Sequence, residues 1–421
     1  MSALSTERET GPASRPPFLR SLAGIFLTGN TFVITALAFF SALVIGAVII
    51  VFATPSALHA WHGFFASPGA ALGPSWKAIA DAYGSLFAGS IGSPTAIAKA
   101  FATGSPADVT RALTPISETL VAATPLMMAA LGIALAFRAG LFDIGGQGQM
   151  ILGAAGATLG GFLFPNMPAP LHIAFALLVG AAFGAAWGFI PGILKAKTGA
   201  HEVITSMMLN YVALNLLTYL LTSPLYQAPP RVEAISKAVV PGARLPLLLG
   251  HSLRVNLGFV IAVLCVIGVA WLLKRSSTGF RFRMLGLNRE AARVAGVNIE
   301  LQYVLAMTLA GMLVGLGGAL LVQGVDFRIS PLYGGSIGFD GITVAILGRG
   351  SPLGVALSSL LFGAFTAGGR TMQVNTSIPL QLVQVLQAVL VLFVAAPGVI
   401  RTIYRIKVLH GGGRIFGGWA G

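Results

Sequence analysis

Charged side chains are scarce in this sequence. They make up 9% of its 421 residues, where a soluble globular chain carries about 25%. Together with 56% hydrophobic residues and a mean hydropathy of +0.86, that scarcity excludes a soluble domain with an ordinary charged surface. Cysteine is almost absent. Cys265 stands alone in an apolar run, which excludes an intrachain disulfide and a cysteine metal site. The six histidines are scattered; His59 and His62 stand three apart with no acid close in sequence, a weak basis for a metal site. Several motifs are missing as well. No G-x-x-x-x-G-K-[ST] occurs, so the chain has no P-loop of its own. No G-x-S-x-G elbow and no H-E-x-x-H zinc helix occurs. Without a clustered nucleophile, base or metal set the chain reads as a non-enzyme that needs no cofactor. Acids in the apolar runs are few and lack basic partners, which argues against a proton-relay pump. No small-x-small cleavage pattern follows the first apolar run, so no cleavable signal peptide is expected.

What is present is a series of long apolar runs, the pattern of an all-α polytopic membrane protein. Residues 1–29 read as a polar cytoplasmic tail and 30–53 as the first transmembrane helix. Residues 54–115 form an extracytoplasmic segment punctuated by Gly, Pro and Ser, with short amphipathic stretches. The main transmembrane region runs over 116–400, and 401–421 is a second cytoplasmic tail. Within 116–400, apolar runs cover 116–137, 150–164, 171–194, 203–222, 256–273, 301–323, 337–347, 355–367 and 380–396, for about ten passes in all. The 26 basic residues against 12 acidic ones give a net charge of +14. In a soluble protein that excess would suggest nucleic acid. Here the bases cluster between apolar runs and act as topology signals, placing both termini and the loop 274–300 inside. No nucleic-acid partner is expected; membrane lipid is.

Two places break the apolar pattern, near 138–150 and 337–354. In the first, glycines let the backbone leave the helix, while Asp143, Gln147 and Gln149 supply polar groups beside Phe142. Irregular backbone at membrane depth persists only where protein or a water-filled cavity satisfies it, so this stretch is either a solute site between half-helices or a plain turn. In the second, Phe339 and Asp340 again precede a short apolar run. One run leads outward and the other inward, as in an inverted repeat pairing the second to fifth spans with the seventh to tenth. Chance similarity is the rival explanation. Asn210 and Asn215 lie inside the fifth span, where an amide either bonds a neighbouring helix or lines a pathway. Gly180, Gly184, Gly188 and Gly192 repeat every four residues, and Gly311 and Gly315 do likewise; both read as packing faces.

The loop 274–300 carries six basic residues and a short helix with legible ends. Asn288 is its N-cap, and Glu290 sits in the first turn where the helix dipole favours an acid. Arg289, Ala291 and Ala292 continue it, and Gly296 stops it. It is either an ordinary basic loop or a docking helix for a soluble partner.

Four blocks carry a resemblance. Residues 134–154 (ALAFRAGLFDIGGQGQMILGA), 197–217 (KTGAHEVITSMMLNYVALNLL), 286–320 (GLNREAARVAGVNIELQYVLAMTLAGMLVGLGGAL) and 338–365 (GFDGITVAILGRGSPLGVALSSLLFGAF) resemble the permease subunit of bacterial nucleoside-type ABC importers. That group belongs to the branched-chain amino-acid, sugar and nucleoside permease superfamily. The commoner form of the first block has Asn-Ile-Gly followed by Glu-Gly-Gln; Asp143 and Gln147 stand at those positions here. The resemblance implies a bacterial inner-membrane location and three partners: a second homologous permease, a cytoplasmic ATP-binding subunit and an extracytoplasmic solute-binding protein. It implies that the helix from Asn288 to Gly296 is the coupling helix, and that Phe142, Asp143, Gln147, Gln149, Asn210, Phe339 and Asp340 lie along the substrate pathway. A nucleoside is the expected cargo. A sugar, a nucleobase or a branched-chain amino acid is the alternative, and a stand-alone secondary transporter or channel is the alternative from another class.

Overall fold

The computed structural model describes residues 31–61, 68–229, 233–250 and 252–405; the expected tail 1–29, residues 406–421 of the expected tail 401–421, and His62 lie outside these. The described residues form helices α1 (Thr31–Ala53), α2 (Pro55–Trp61), α3 (Pro68–Ser90), α4 (Pro94–Thr103), α5 (Pro106–Arg138), α6 (Gly146–Leu163), α7 (Ala169–Thr198), α8 (Glu202–Thr222), α9 (Leu257–Arg275), α10 (Ser277–Leu287), α11 (Arg289–Val294), α12 (Ile299–Leu321), α13 (Ile337–Leu347), α14 (Pro352–Thr376), α15 (Leu380–Ala395) and α16 (Pro397–Ile403). Many starts are written locally. Pro55, Pro68, Pro94, Pro106, Pro352 and Pro397 each open a helix, where the missing N–H costs nothing and φ is already set. Asn256, Ser276, Asn288, Asn298 and Ser351 cap others by accepting a first-turn N–H. Apart from two isolated bridges, no strand forms among the described residues.

Seven described helices are long and apolar enough to cross a membrane, and the bent pair α15–α16, turned by 88°, makes an eighth. Adding the short helices α6 and α13 reaches the expected ten passes. The bundle is arranged about α5: 83% of its apolar window is buried, against 22% for α1 and for α8. From the stretch expected on the outer face, α3 packs its C-terminal half against α1 and α14: the Tyr83 hydroxyl donates to the Leu43 carbonyl at 2.6 Å, and Gly368 lies against Leu86.

The packing is doubled, as an inverted repeat requires. α12 packs on α7 and α6, while α5 packs on α14 and α13. α5 and α12 meet at the centre and run antiparallel, with Gly132 against Ala310 and Val314, and Gly317 against Met128. Their ends go to opposite sides. α5 finishes beside the turn between α13 and α14, where Arg138 Nε donates to the Gly350 carbonyl at 2.9 Å. α12 finishes beside the turn between α6 and α7, reached through the strap 236–245: Val240 N donates to Gly161 O at 3.1 Å, and Gln323 Nε2 donates to Ala243 O at 2.9 Å.

The glycine repeats form the seam between α7 and α12. A Cβ on Gly188 would come within 3.0 Å of the Gly311 Cα, one on Gly180 within 2.8 Å of the Ala319 Cβ, and one on Gly184 within 2.5 Å of the Gly315 Cα. Backbone meets backbone here, with no flexible side chain to yield. Lipid provides no hydrophobic drive between helices, so this close van der Waals contact supplies the association. Gly184→Leu is therefore expected to lower the thermal midpoint of the detergent-solubilised protein by the equivalent of about 1–3 kcal/mol or more. Gly268→Ala, with nothing within 4 Å of the new methyl, is expected to leave it unchanged.

Candidate functional site: the helix break and its two chambers

Between α5 and α6 the chain leaves the helix for residues 139–145. Its peptide groups lose their helical partners inside an apolar bundle, where each unpaired group is costly. One stripe of α8 replaces them. Glu202, Ser206 and Asn210, spaced four apart, lie on one face. Glu202 Oε1 accepts from Phe142 N at 3.4 Å, and Ser206 Oγ accepts from Ile144 N at 3.2 Å. Asn210 uses both ends of its amide: Oδ1 accepts from Gly148 N at 2.8 Å, and Nδ2 donates to Ile144 O at 2.9 Å. Glu202 is held in turn by Lys195 Nζ at 2.8 Å. Among the candidates weighed for Asn210, the bond to a neighbouring element is present, and the residue also borders a cavity. Asn215 bonds only back to Tyr211 O on its own helix, at 2.8 Å.

The other expected site residues separate into two groups. Asp143 is fully buried and ties the approach of the chain to the first turn of α6: Oδ1 accepts from Gly145 N at 2.7 Å and Oδ2 from Gln149 Nε2 at 2.8 Å. Phe142 stacks on Phe137 at 5.1 Å between ring centroids. Phe142, Asp143 and Gln149 thus shape the break from within, and neither chamber described below is lined by them. Gln147, Asn210, Phe339 and Asp340 do line chambers. Gln147 joins the two half-helices. Its Oε1 accepts from Gly338 N at 2.9 Å and its Nε2 donates to Tyr333 O at 3.4 Å. A Cβ on Gly338 would strike the Gln147 backbone, so glycine is what lets the starts of α6 and α13 touch. The N-terminal ends of both half-helices, with their partial positive charge, are thereby brought together deep in the bundle.

A chamber of about 520 Å³ opens beside this junction, between α6, α8 and the residues leading into α13. Tyr211 and Phe339 present aromatic faces, Gln147 and Asn210 present amides, and Ile151, Met207 and Leu214 complete an apolar wall. Its size and its few polar groups in an apolar lining suit a small organic solute. Tyr211, Glu202 and Ser206 were not singled out from the sequence. The i, i+4, i+8 polar stripe inside an apolar helix was the available signal. Among the described residues no group of three His, Cys, Asp or Glu is placed to hold a metal ion.

At the basic end of the bundle, α11 forms as expected. Asn288 Oδ1 accepts from Ala291 N at 3.0 Å, Glu290 pairs with Arg293 at 3.0 Å, and Gly296 takes a left-handed φ of +78°. Arg289 lies over the Tyr303 ring at 5.9 Å. Ala292 is buried beneath the helix, while Leu287 and Val294 are 81% and 90% exposed. The loop holds a second helix, α10, whose Gly286 packs on the Arg138 carbonyl.

Residues 116–395 match the family described as branched-chain amino acid transport system / permease component. The chain is 35% identical over 292 residues to the guanosine ABC transporter permease protein NupP of Bacillus subtilis, covering 68% of this chain and 83% of that protein. It is 34% identical over 297 residues to the nucleoside ABC transporter permease protein NupB of Lactococcus lactis, covering 68% and 81%. It is 33% identical over 290 residues to the glucose ABC transporter permease protein TsgB13 of Haloferax volcanii, covering 66% and 75%. No solved structure matches. The chain belongs to this permease family and is a multi-pass membrane permease subunit of an ABC importer.

The α8 stripe generates a graded expectation. Asn210→Leu strips partners from two buried peptide groups and is expected to cost about 1–3 kcal/mol for each, read as a drop in thermal midpoint. Asn210→Asp keeps the acceptor for Gly148 N and loses only the donor to Ile144 O, so its midpoint is expected between wild type and Asn210→Leu.

Proposed function

We propose that the chain forms the translocation path for a nucleoside, with uptake driven by a separate ATPase. One observation carries this reading: the 520 Å³ chamber sets the aromatic faces of Tyr211 and Phe339 beside the amides of Gln147 and Asn210. Aromatic faces stack on a nucleobase, for about 1–3 kcal/mol per base, and amides pair with its edge. The printed names of the relatives support it, since two transport guanosine or nucleosides. Glucose, named for the third, supports a sugar as the second reading; guanosine and glucose share a ring bearing vicinal hydroxyls.

The remaining assignments follow the same importer logic. The exposed Leu287 at the end of α10 and Val294 at the end of α11 form an apolar surface for the ATP-binding subunit in the cytoplasm. The strap 236–245 at the other end faces a solute-binding protein. A second permease completes the path, in a bacterial inner membrane with both termini on the cytoplasmic side. Closure of the ATPases moves α11 and α10, and the bundle switches between two openings; this is a two-state element biased by a ligand bound elsewhere.

Two outcomes are expected of the assembled importer. Tyr211→Ala and Phe339→Ala should each raise the KM for labelled guanosine about tenfold, the equivalent of about 1.4 kcal/mol. Competition by excess glucose rather than guanosine would instead favour the sugar reading. Leu287→Asp combined with Val294→Asp should abolish ATP-linked uptake while the protein still inserts into membranes; undiminished uptake would show that α11 is not the coupling element.

A further inference from the structure

A second chamber, of about 380 Å³, lies between α5, α12, α14 and α15. Gly335 borders both chambers, so the two meet at the turn leading into α13. The chemistry of the second wall is different. Asp326, Asp340, Arg254, Arg370, Gln384 and Gln387 all face it. Two carboxylates and two guanidinium groups face the space, and they form no ion pair with one another among the described residues. Arg254 is engaged by Glu118 at 3.0 Å. Arg370 makes no ion pair among the described residues, and with Arg254 it acts on Asp326 only through the field. Asp340 receives the Ser336 hydroxyl on Oδ2 at 2.9 Å, and its Oδ1 has no hydrogen bond among the described residues.

A mixed set of open groups around a small space, Asp340 Oδ1, Arg370 and Gln384, is poorly matched to a simple ion, which would meet a like charge on the lining. It is also poorly matched to an apolar solute, which would leave all of them unpaired. It suits a neutral ligand rich in hydroxyls, each able to donate to a carboxylate and accept from a guanidinium or carboxamide. An acidic side chain accepting from a ribose hydroxyl is a familiar solution to sugar recognition. We propose that this chamber reads the vicinal hydroxyls of the solute's sugar ring, with Asp340 and Arg370 as specificity-determining residues. The inference rests on the nucleoside reading of the neighbouring aromatic chamber. It adds a division of labour, in which base faces are met on one side of the 334–336 turn and hydroxyls on the other.

The test is equilibrium binding of radiolabelled guanosine and 2′,3′-dideoxyguanosine to the permease–ATPase complex in nanodiscs. The solute-binding protein is left out, so that its own selectivity does not enter. The wild type should bind guanosine at least about tenfold more tightly than the dideoxy compound. Asp340→Asn and Arg370→Gln should weaken guanosine alone and bring the ratio below about threefold. Retained dideoxyguanosine binding reports that each variant is folded. Tyr211→Ala should weaken both ligands alike and leave the ratio unchanged. Variants that keep the wild-type ratio would overturn the hydroxyl assignment while leaving the nucleoside reading intact. A wild type that binds neither compound would overturn the nucleoside reading and this inference with it.

Discussion

The hydrogen bonds between the α8 stripe and the chain linking α5 to α6 are the constraint on which the rest of the structure depends. A backbone that leaves the helix deep in an apolar bundle has to find partners within the protein. Glu202, Ser206 and Asn210 provide them. Because these partners are side chains of another helix, the break is fixed in position relative to α8. The aromatic chamber between α6 and α8 is the space left beside that attachment. Lys195 neutralises Glu202 from the end of α7, so a carboxylate can take part at an exposure of only 7%.

The second half of the bundle repeats the arrangement with different chemistry. α13 is 11 residues long against 18 for α6. Both start at the central junction that Gln147 spans and run to opposite ends. The two Phe-Asp pairs have nonetheless diverged. Asp143 is consumed by Gly145 N and Gln149 at the start of its own half-helix, whereas Asp340 accepts the Ser336 hydroxyl and faces open space. The glycine seam of α7 on α12 and the close contact of α5 with α12 keep the halves together. A rigid centre of backbone contacts thus carries two chambers with unlike linings.

Features that depend on neighbours in sequence were legible there. The cap at Asn288, the acid at Glu290 and the stop at Gly296 are all local, and each appears as expected. The glycine repeats declared a packing face because their spacing is that of a helix, although the partner helix was not readable from them. α10 went unseen because Asn288 ends it and starts α11 at once, so the two helices run together in sequence as one basic stretch. Asp143 and Gln149 looked alike to Gln147 as polar groups in a break. Only the path of the chain decides that the first two face each other while Gln147 reaches Gly338. The role of the α8 stripe is likewise tertiary, since the peptide groups it serves lie about 60 positions earlier.

At the basic end of the molecule, Gly286 of α10 rests on the carbonyl of Arg138, and the Arg138 side chain reaches Gly350 in the turn between α13 and α14. One arginine therefore stands where the loop carrying α11, the end of the leading helix of the first half and the midpoint of the second converge. The loop and both halves of the bundle are thus tied at a single side chain, which leaves little room for any one of the three to shift alone.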